Sequence, residues 1–152
     1  MVKSFKILSR SPSQTKKIGQ FLAEETLKTK TKRALILGLV GDLGGGKTTF
    51  LQGFAQGLGI KEKILSPSFV ILKRFKIKDL RFKNFYHIDC YRIKKPKEIL
   101  DLGFKEIISD PKNIVAIEWA DRIKKILPKK ILVLKFDFIN RNQREIEILN
   151  YV

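Results

Sequence analysis

Cysteine is almost absent from this sequence of 152 residues, and the single Cys90 has no partner in the chain with which to form an intramolecular disulfide. Long apolar runs are missing too: the longest, residues 34–40, is far too short to cross a bilayer. The first residues form a polar, strand-like stretch in place of an apolar leader, so the expectation is a cytoplasmic protein with no membrane segment. No Pro/Gly/Ser-rich stretch divides the chain and no internal repeat is visible, which argues against a linker-built or repetitive protein. Acidic residues are scarce as well. Asp and Glu number 15 against 32 Lys and Arg, leaving a net charge of +17. A field of that sign draws in polyanions such as nucleic acid, nucleotide or acidic protein without choosing among them, and a lysine-rich solvated surface is the competing explanation. No Asn/Thr-Lys-x-Asp base-recognition segment occurs, which argues against a GTPase.

What is present suffices for one domain, residues 1–152, whose 43% hydrophobic content can enclose a core without disulfides or metals. Residues 3–8 alternate loosely and predict a strand. Ser11-Pro12-Ser13 predicts a helix entry, with the helix reaching about Lys28 and turning Ile18, Phe21, Leu22 and Leu27 to one face. Residues 34–40, ending in Gly41, predict a central parallel strand covered on both faces, and a helix from Lys47 ends near Gly57 and Gly59. Residues 69–77 and 82–91 predict a hairpin turning at 78–81; residues 96–102 predict a short helix stopped by Gly103. Residues 114–117 predict a buried strand running into Glu118-Trp119, and 120–127 a short helix closed by Pro128. Residues 131–138 and 144–152 predict a terminal strand pair around Asn140-Arg141-Asn142-Gln143. The sum is an α/β fold: a sheet parallel at its centre with antiparallel additions, and helices on both faces.

Between that central strand and its helix lies Gly41-Asp42-Leu43-Gly44-Gly45-Gly46-Lys47-Thr48, which satisfies G-x-x-x-x-G-K-[ST] in the context that gives the pattern meaning. The glycines let the backbone wrap closely, so that successive N–H groups point at phosphate oxygens. Lys47 adds a point charge for the β- and γ-phosphates, the helix N-terminus adds its dipole, and the Thr48 hydroxyl is placed to ligate Mg²⁺. The expected ligand is therefore the triphosphate of ATP with Mg²⁺, on a P-loop NTPase-like sheet.

Hydrolysis needs, besides the loop, an acid near the metal and a group that orients water. Glu118 closes the apolar run 114–117, and Asp89 closes Phe85-Tyr86-His87-Ile88, so both would emerge at strand ends where ligands sit in open α/β sheets. Either could instead be a solvated terminus or a helix cap. His87 and Asp89, two apart, share a strand face; His87 is a candidate for chemistry or for a structural hydrogen bond. Cys90, on the opposite face, reads as a small core residue. Trp119 could stack on a base or simply pack, and Ser66-Pro67-Ser68 sets two hydroxyls in a loop that could face the γ-phosphate or serve a turn.

The combination of the glycine loop through Thr49, Ser66-Pro67-Ser68-Phe69, His87-Ile88-Asp89-Cys90-Tyr91-Arg92, Leu102-Gly103-Phe104 and Glu118-Trp119 resembles the TsaE (YjeE) family over nearly the whole chain. The resemblance implies a bacterial cytoplasmic ATPase needed for N6-threonylcarbamoyladenosine at position 37 of tRNAs, acting with a TsaB–TsaD pair that performs the transfer. It also implies that Gly44, Gly45, Gly46, Lys47, Thr48 and Thr49 hold the phosphates, that Thr48 and Glu118 serve Mg²⁺, and that Asp89 is the catalytic acid. Trp119 and Arg144 would lie by the nucleotide, and the region of Ser13 and Thr15 would close over the adenine. Ser68 stands where the family usually has threonine, keeping the hydroxyl and losing a methyl group.

Two other functions fit the same loop. A small-molecule kinase would pass the γ-phosphoryl group to an acceptor other than water, for which the short middle region leaves little room. A nucleotide-gated RNA-binding module would use ATP only to order loops, with the positive charge holding tRNA directly instead of through a complex.

Overall fold

A computed structural model of the chain describes residues 2–42, 44–65 and 70–151. Its strands follow the apolar runs: β1 (Val2–Ser9), β2 (Leu35–Gly41), β3 (Leu72–Lys76), β4 (Asn84–Asp89), β5 (Asn113–Glu118), β6 (Leu132–Phe138) and β7 (Arg144–Tyr151). Helices α1 (Pro12–Leu27), α2 (Lys47–Gly57), α3 (Lys97–Leu100) and α4 (Phe104–Ser109) connect them, with a 3-10 helix over Ala120–Ile126. The strands make one seven-stranded sheet in the order β1-β7-β6-β2-β5-β4-β3. β6, β2, β5 and β4 are parallel neighbours, β7 and β1 extend one edge antiparallel, and β3 does so at the other. This is the expected α/β architecture.

β2 sits mid-sheet, with Leu37 and Leu39 in one core and Ile36 and Val40 in the other. The first core lies under α1 and α2 and is aromatic: Phe50 meets Phe136 edge-on with ring centres 5.5 Å apart, and Phe54 lies 5.7 Å from Phe85. The second core, under α3, α4 and the 3-10 helix, gathers Ile88, Ile99, Phe104, Val115, Ile117 and Ile123 around Cys90. Burial pushes the Cys90 thiol up to about 12, so it is the inert core residue expected of its face.

Several expectations change in detail. Phe21 does not join the core; it is 62% exposed, while Thr15, Gly19, Ala23 and Thr26 form the buried face of α1. The reason is close backbone approach: a Cβ on Gly19 would lie 2.3 Å from the Phe50 carbonyl oxygen, and one on Gly53 only 2.0 Å from that of Lys16. Ile18, Leu22 and Leu27 flank this seam, partly buried against the first core. The hairpin strands are shorter than predicted, while the turn falls where expected: Asp79 Oδ2 accepts hydrogen bonds from the Arg81 and Phe82 amides, and the Ile77 amide donates to the Lys83 carbonyl at 2.9 Å. Gly103 stops α3 as expected, but its left-handed φ of 83° reorients the chain directly into α4, a helix the pattern did not reveal. The helix before Pro128 is a 3-10 segment with non-helical torsions at Ile123. Leu43 and Ser66-Pro67-Ser68-Phe69 lie outside the described residues.

Candidate functional site

The glycine loop leaves the C-terminal end of β2 and hands the chain to α2 at Gly46, whose φ of 97° is strained for any residue bearing a Cβ. No side chain caps α2, so its first amides are open to an anion at the positive end of the helix. Lys47, only 5% exposed, folds back over the loop. Its Nζ donates to the carbonyls of Gly41 (2.6 Å) and Asp42 (2.9 Å) and stands 4.5 Å from the centre of the Trp119 ring. Burial lowers its pKa, against the opposing pull of Glu118, Asp42, Asp89 and Asp121.

Parallel pairing of β4 with β5 sets Asp89 opposite Glu118, and pairing of β5 with β2 sets Glu118 opposite Leu39, two residues before the loop begins. The strand register therefore brings both acids to the loop. Thr48 Oγ1 donates to Glu118 Oε1 at 3.4 Å, while Glu118 Oε2 lies 2.7 Å from His87 Nε2. His87 and Glu118 are each 3% exposed. Asp89 is half-buried; burial raises its pKa and the nearby Glu118 charge adds to this, while the Tyr91 amide, donating to Oδ1 at 2.9 Å, opposes it, as do the charges of His87 and Lys47. Glu118 is thus a buried partner of His87 and Thr48, while Asp89 sits beside it across the strands and accepts from the amide two residues on.

On the other side of the loop, Arg144 Nε donates to Gly44 O at 2.8 Å, its guanidinium stacks 4.5 Å from the Phe138 ring, and Nη1 holds the Asn140 and Gln143 carbonyls. Ser11, Thr15, Gly46, Thr49, Asn142 and Arg144 line a cleft beside α2. Thr15 is buried, its hydroxyl 2.6 Å from that of Ser9, while Ser13 is exposed. Trp119, with a left-handed φ of 56°, packs between Lys47, Tyr91 and Arg122, with ring centres 5.1 Å apart for Tyr91. It does not line the cleft that Thr15, Thr49 and Arg144 share, but its ring lies against Lys47 of the glycine loop. Ser9, Asn142 and Arg122 carried no signal in the sequence, being single polar residues at a strand end, in a turn and in a 3-10 helix; Tyr91 stood inside the quoted motif.

The fit to a divalent cation can be tested on the donor set. Among the described residues no cluster of three or more His, Cys, Asp and Glu side chains could cage a metal. One hydroxyl and one carboxylate oxygen converge instead, and that suits Mg²⁺, which keeps several waters and takes phosphate oxygens alongside one or two protein ligands.

A family model described as threonylcarbamoyl adenosine biosynthesis protein TsaE matches residues 9–146. The chain belongs to the TsaE family. The TsaE protein of Bacillus subtilis is 36% identical to it over 145 residues, covering 95% of this chain and 85% of its own. That of Haemophilus influenzae is 32% identical over 133 residues, covering 88% and 81%. The crystal structure of Bacillus subtilis YdiB superimposes with a TM-score of 0.76 at 33% identity, covering 99% of this chain and 87% of that one. TsaE membership and the P-loop fold thus agree with the resemblance carried by the motifs. No helix among the described residues is long and apolar enough to cross a membrane.

Proposed function

We propose that this chain binds Mg-ATP in the glycine loop and hydrolyses it, in the cytoplasm, in support of threonylcarbamoylation of adenosine 37 of tRNA by a TsaB–TsaD pair. The observation that carries this reading is the convergence of Thr48 Oγ1 and Glu118 Oε1, 3.4 Å apart, beside a buried lysine at the head of an uncapped helix. Family names attached to relatives over most of the chain supply the pathway.

In this reading the amides of Gly44, Gly45 and Gly46 and of the first turn of α2 receive the phosphates. Lys47 exchanges the Gly41 and Asp42 carbonyls for β- and γ-phosphate oxygens, a gain because a buried ammonium is better matched by anionic oxygens than by neutral ones. Mg²⁺, held by Thr48 and Glu118, supplies charge neutralisation at the phosphates. Thr15, Thr49 and Arg144 line the cleft that would take the nucleoside. Asp89, its affinity for a proton raised by burial, accepts the proton of the attacking water as that water's oxygen bonds the γ-phosphorus and ADP departs.

The net charge of +17 favours one second reading, a nucleotide-gated RNA-binding module. Titration calorimetry of the pure chain with Mg-ATP and Mg-ADP tests the first reading, which is lost if neither gives heat. Hydrolysis measured with and without the TsaB–TsaD pair, for the native chain and for Lys47→Ala, Asp89→Ala and Glu118→Ala, then tests the roles. Weak turnover alone, and association with the pair that depends on ATP, are the expected results; tRNA binding by the isolated chain that requires Mg-ATP and survives high salt supports the second reading.

A further inference from the structure

His87 is the chain's one histidine, and the mechanism above leaves it without a task. Its place is dictated by the sheet. On β4 it shares a face with Phe85 and Asp89, and on β5 Glu118 shares that face with Ile114 and Ala116, so both side chains project under α2. The register pairs His87 with Ala116, which leaves Glu118 as its diagonal neighbour across the strands. At 3% exposure each, both groups have left water, and a carboxylate in that position must recover its lost hydration through hydrogen bonds.

Glu118 divides its oxygens between different partners: Oε2 meets His87 Nε2 at 2.7 Å, and Oε1 meets Thr48 Oγ1 at 3.4 Å. A carboxylate has only acceptors, so the ring N–H donates. The short contact fixes one oxygen, and with it the rotation of the whole carboxylate about its terminal bond. The long contact is the loose one. It is made by the two groups assigned to the cation, and it is the contact a cation inserted between them would replace.

We propose that His87 is a positioning residue for the divalent cation: it anchors Glu118 Oε2 and thereby keeps Oε1 turned toward Thr48. The inference rests on the Mg-nucleotide reading and deepens it. Without the imidazole, Glu118 is free to swing its carboxylate toward Lys47, whose charge attracts it, and the two oxygen donors no longer face one point. Partners of this kind, behind a metal ligand, alter metal affinity by about 10- to 100-fold when removed.

The test separates cation binding from nucleotide binding. ADP is titrated into the native chain, His87→Ala and His87→Gln by calorimetry in excess chelator, and Mg²⁺ is then titrated into each nucleotide-loaded chain; thermal melts confirm folding. The expected result is Mg²⁺ affinity about 10- to 100-fold weaker for His87→Ala, with ADP affinity in chelator unchanged. His87→Gln, whose amide N–H can reach the same oxygen, should recover much of the loss. Equal Mg²⁺ affinity in native chain and His87→Ala overturns the proposal, as does an equal loss of ADP affinity with and without Mg²⁺, or no recovery in a folded His87→Gln. Should the native chain bind no ADP under either condition, the nucleotide reading itself falls, and the proposal with it.

Discussion

At the scale of the residue, the site is governed by groups held in protonation states that cost stability. Asp89 has its pKa raised chiefly by burial, so the folded chain holds that proton more tightly than the unfolded chain does. The ionised carboxylate therefore weakens the fold above its raised pKa, and the penalty disappears as the pH falls through that pKa and below the ordinary carboxylate value. Asp89→Asn should raise the melting temperature at neutral pH, with the gap to the native chain closing as the pH is lowered toward about 4. Turnover should fall by about 10²–10⁴-fold, the usual range for a lost general base; phosphate release equal to the native rate would remove Asp89 from the mechanism. Lys47→Ala acts on binding instead. Losing a charged hydrogen-bonding partner for phosphate, worth about 1.5–3 kcal/mol, should weaken Mg-ADP binding by about 10- to 150-fold, read by calorimetry.

At the scale of the element, legibility followed side-chain size. Strands announced themselves because a sheet covered on both faces demands near-continuous apolar residues, as in Leu35–Gly41 and Asn113–Glu118. The acids at their ends were legible for the same reason: Asp89 and Glu118 each terminate such a run. The buried face of α1 was not legible, because a search for large apolar residues overlooks a seam made by their absence. Gly19 of α1 and Gly53 of α2 allow backbone to touch backbone, and Phe21 is left outside. Thr15 and Arg144 came only with the family resemblance, since a cleft built from a helix start and a strand start far apart in the chain has no local signature. Gly53→Ala tests the seam. An alanine in mid-helix gains about 1 kcal/mol in propensity over glycine, but here its Cβ would stand 2.0 Å from the Lys16 carbonyl oxygen, a backbone atom that can move only with its helix. Overpacking should win, with a net loss of about 1–2 kcal/mol, read as a lower denaturant midpoint; an unchanged midpoint would show that the helices separate freely.

At the scale of the whole molecule, the sheet separates two kinds of surface. The C-terminal ends of β2, β4 and β5 carry the glycine loop, Glu118 and Asp89. Around their N-terminal ends stand the exposed Lys30, Lys32, Lys78, Arg81, Lys83, Lys112, Lys129 and Lys130. Backbone contacts join these segments: Arg81 donates to the Leu27 carbonyl, Arg33 to that of Lys130, and the Lys83 amide to that of Lys112. An anionic polymer attracted to this end would meet an array of charge at the opposite ends of the strands from the loop. RNA binding by the isolated chain should therefore be electrostatic: equal for tRNA and an unrelated RNA of the same length, and indifferent to Mg-ATP. Several phosphate contacts would make the affinity fall by orders of magnitude between about 50 and 200 mM salt. Filter binding across that range decides the matter, because a preference for tRNA that survives high salt and requires Mg-ATP would mean that the loop gates an RNA site, and hydrolysis in support of a partner pair would lose its place as the better reading.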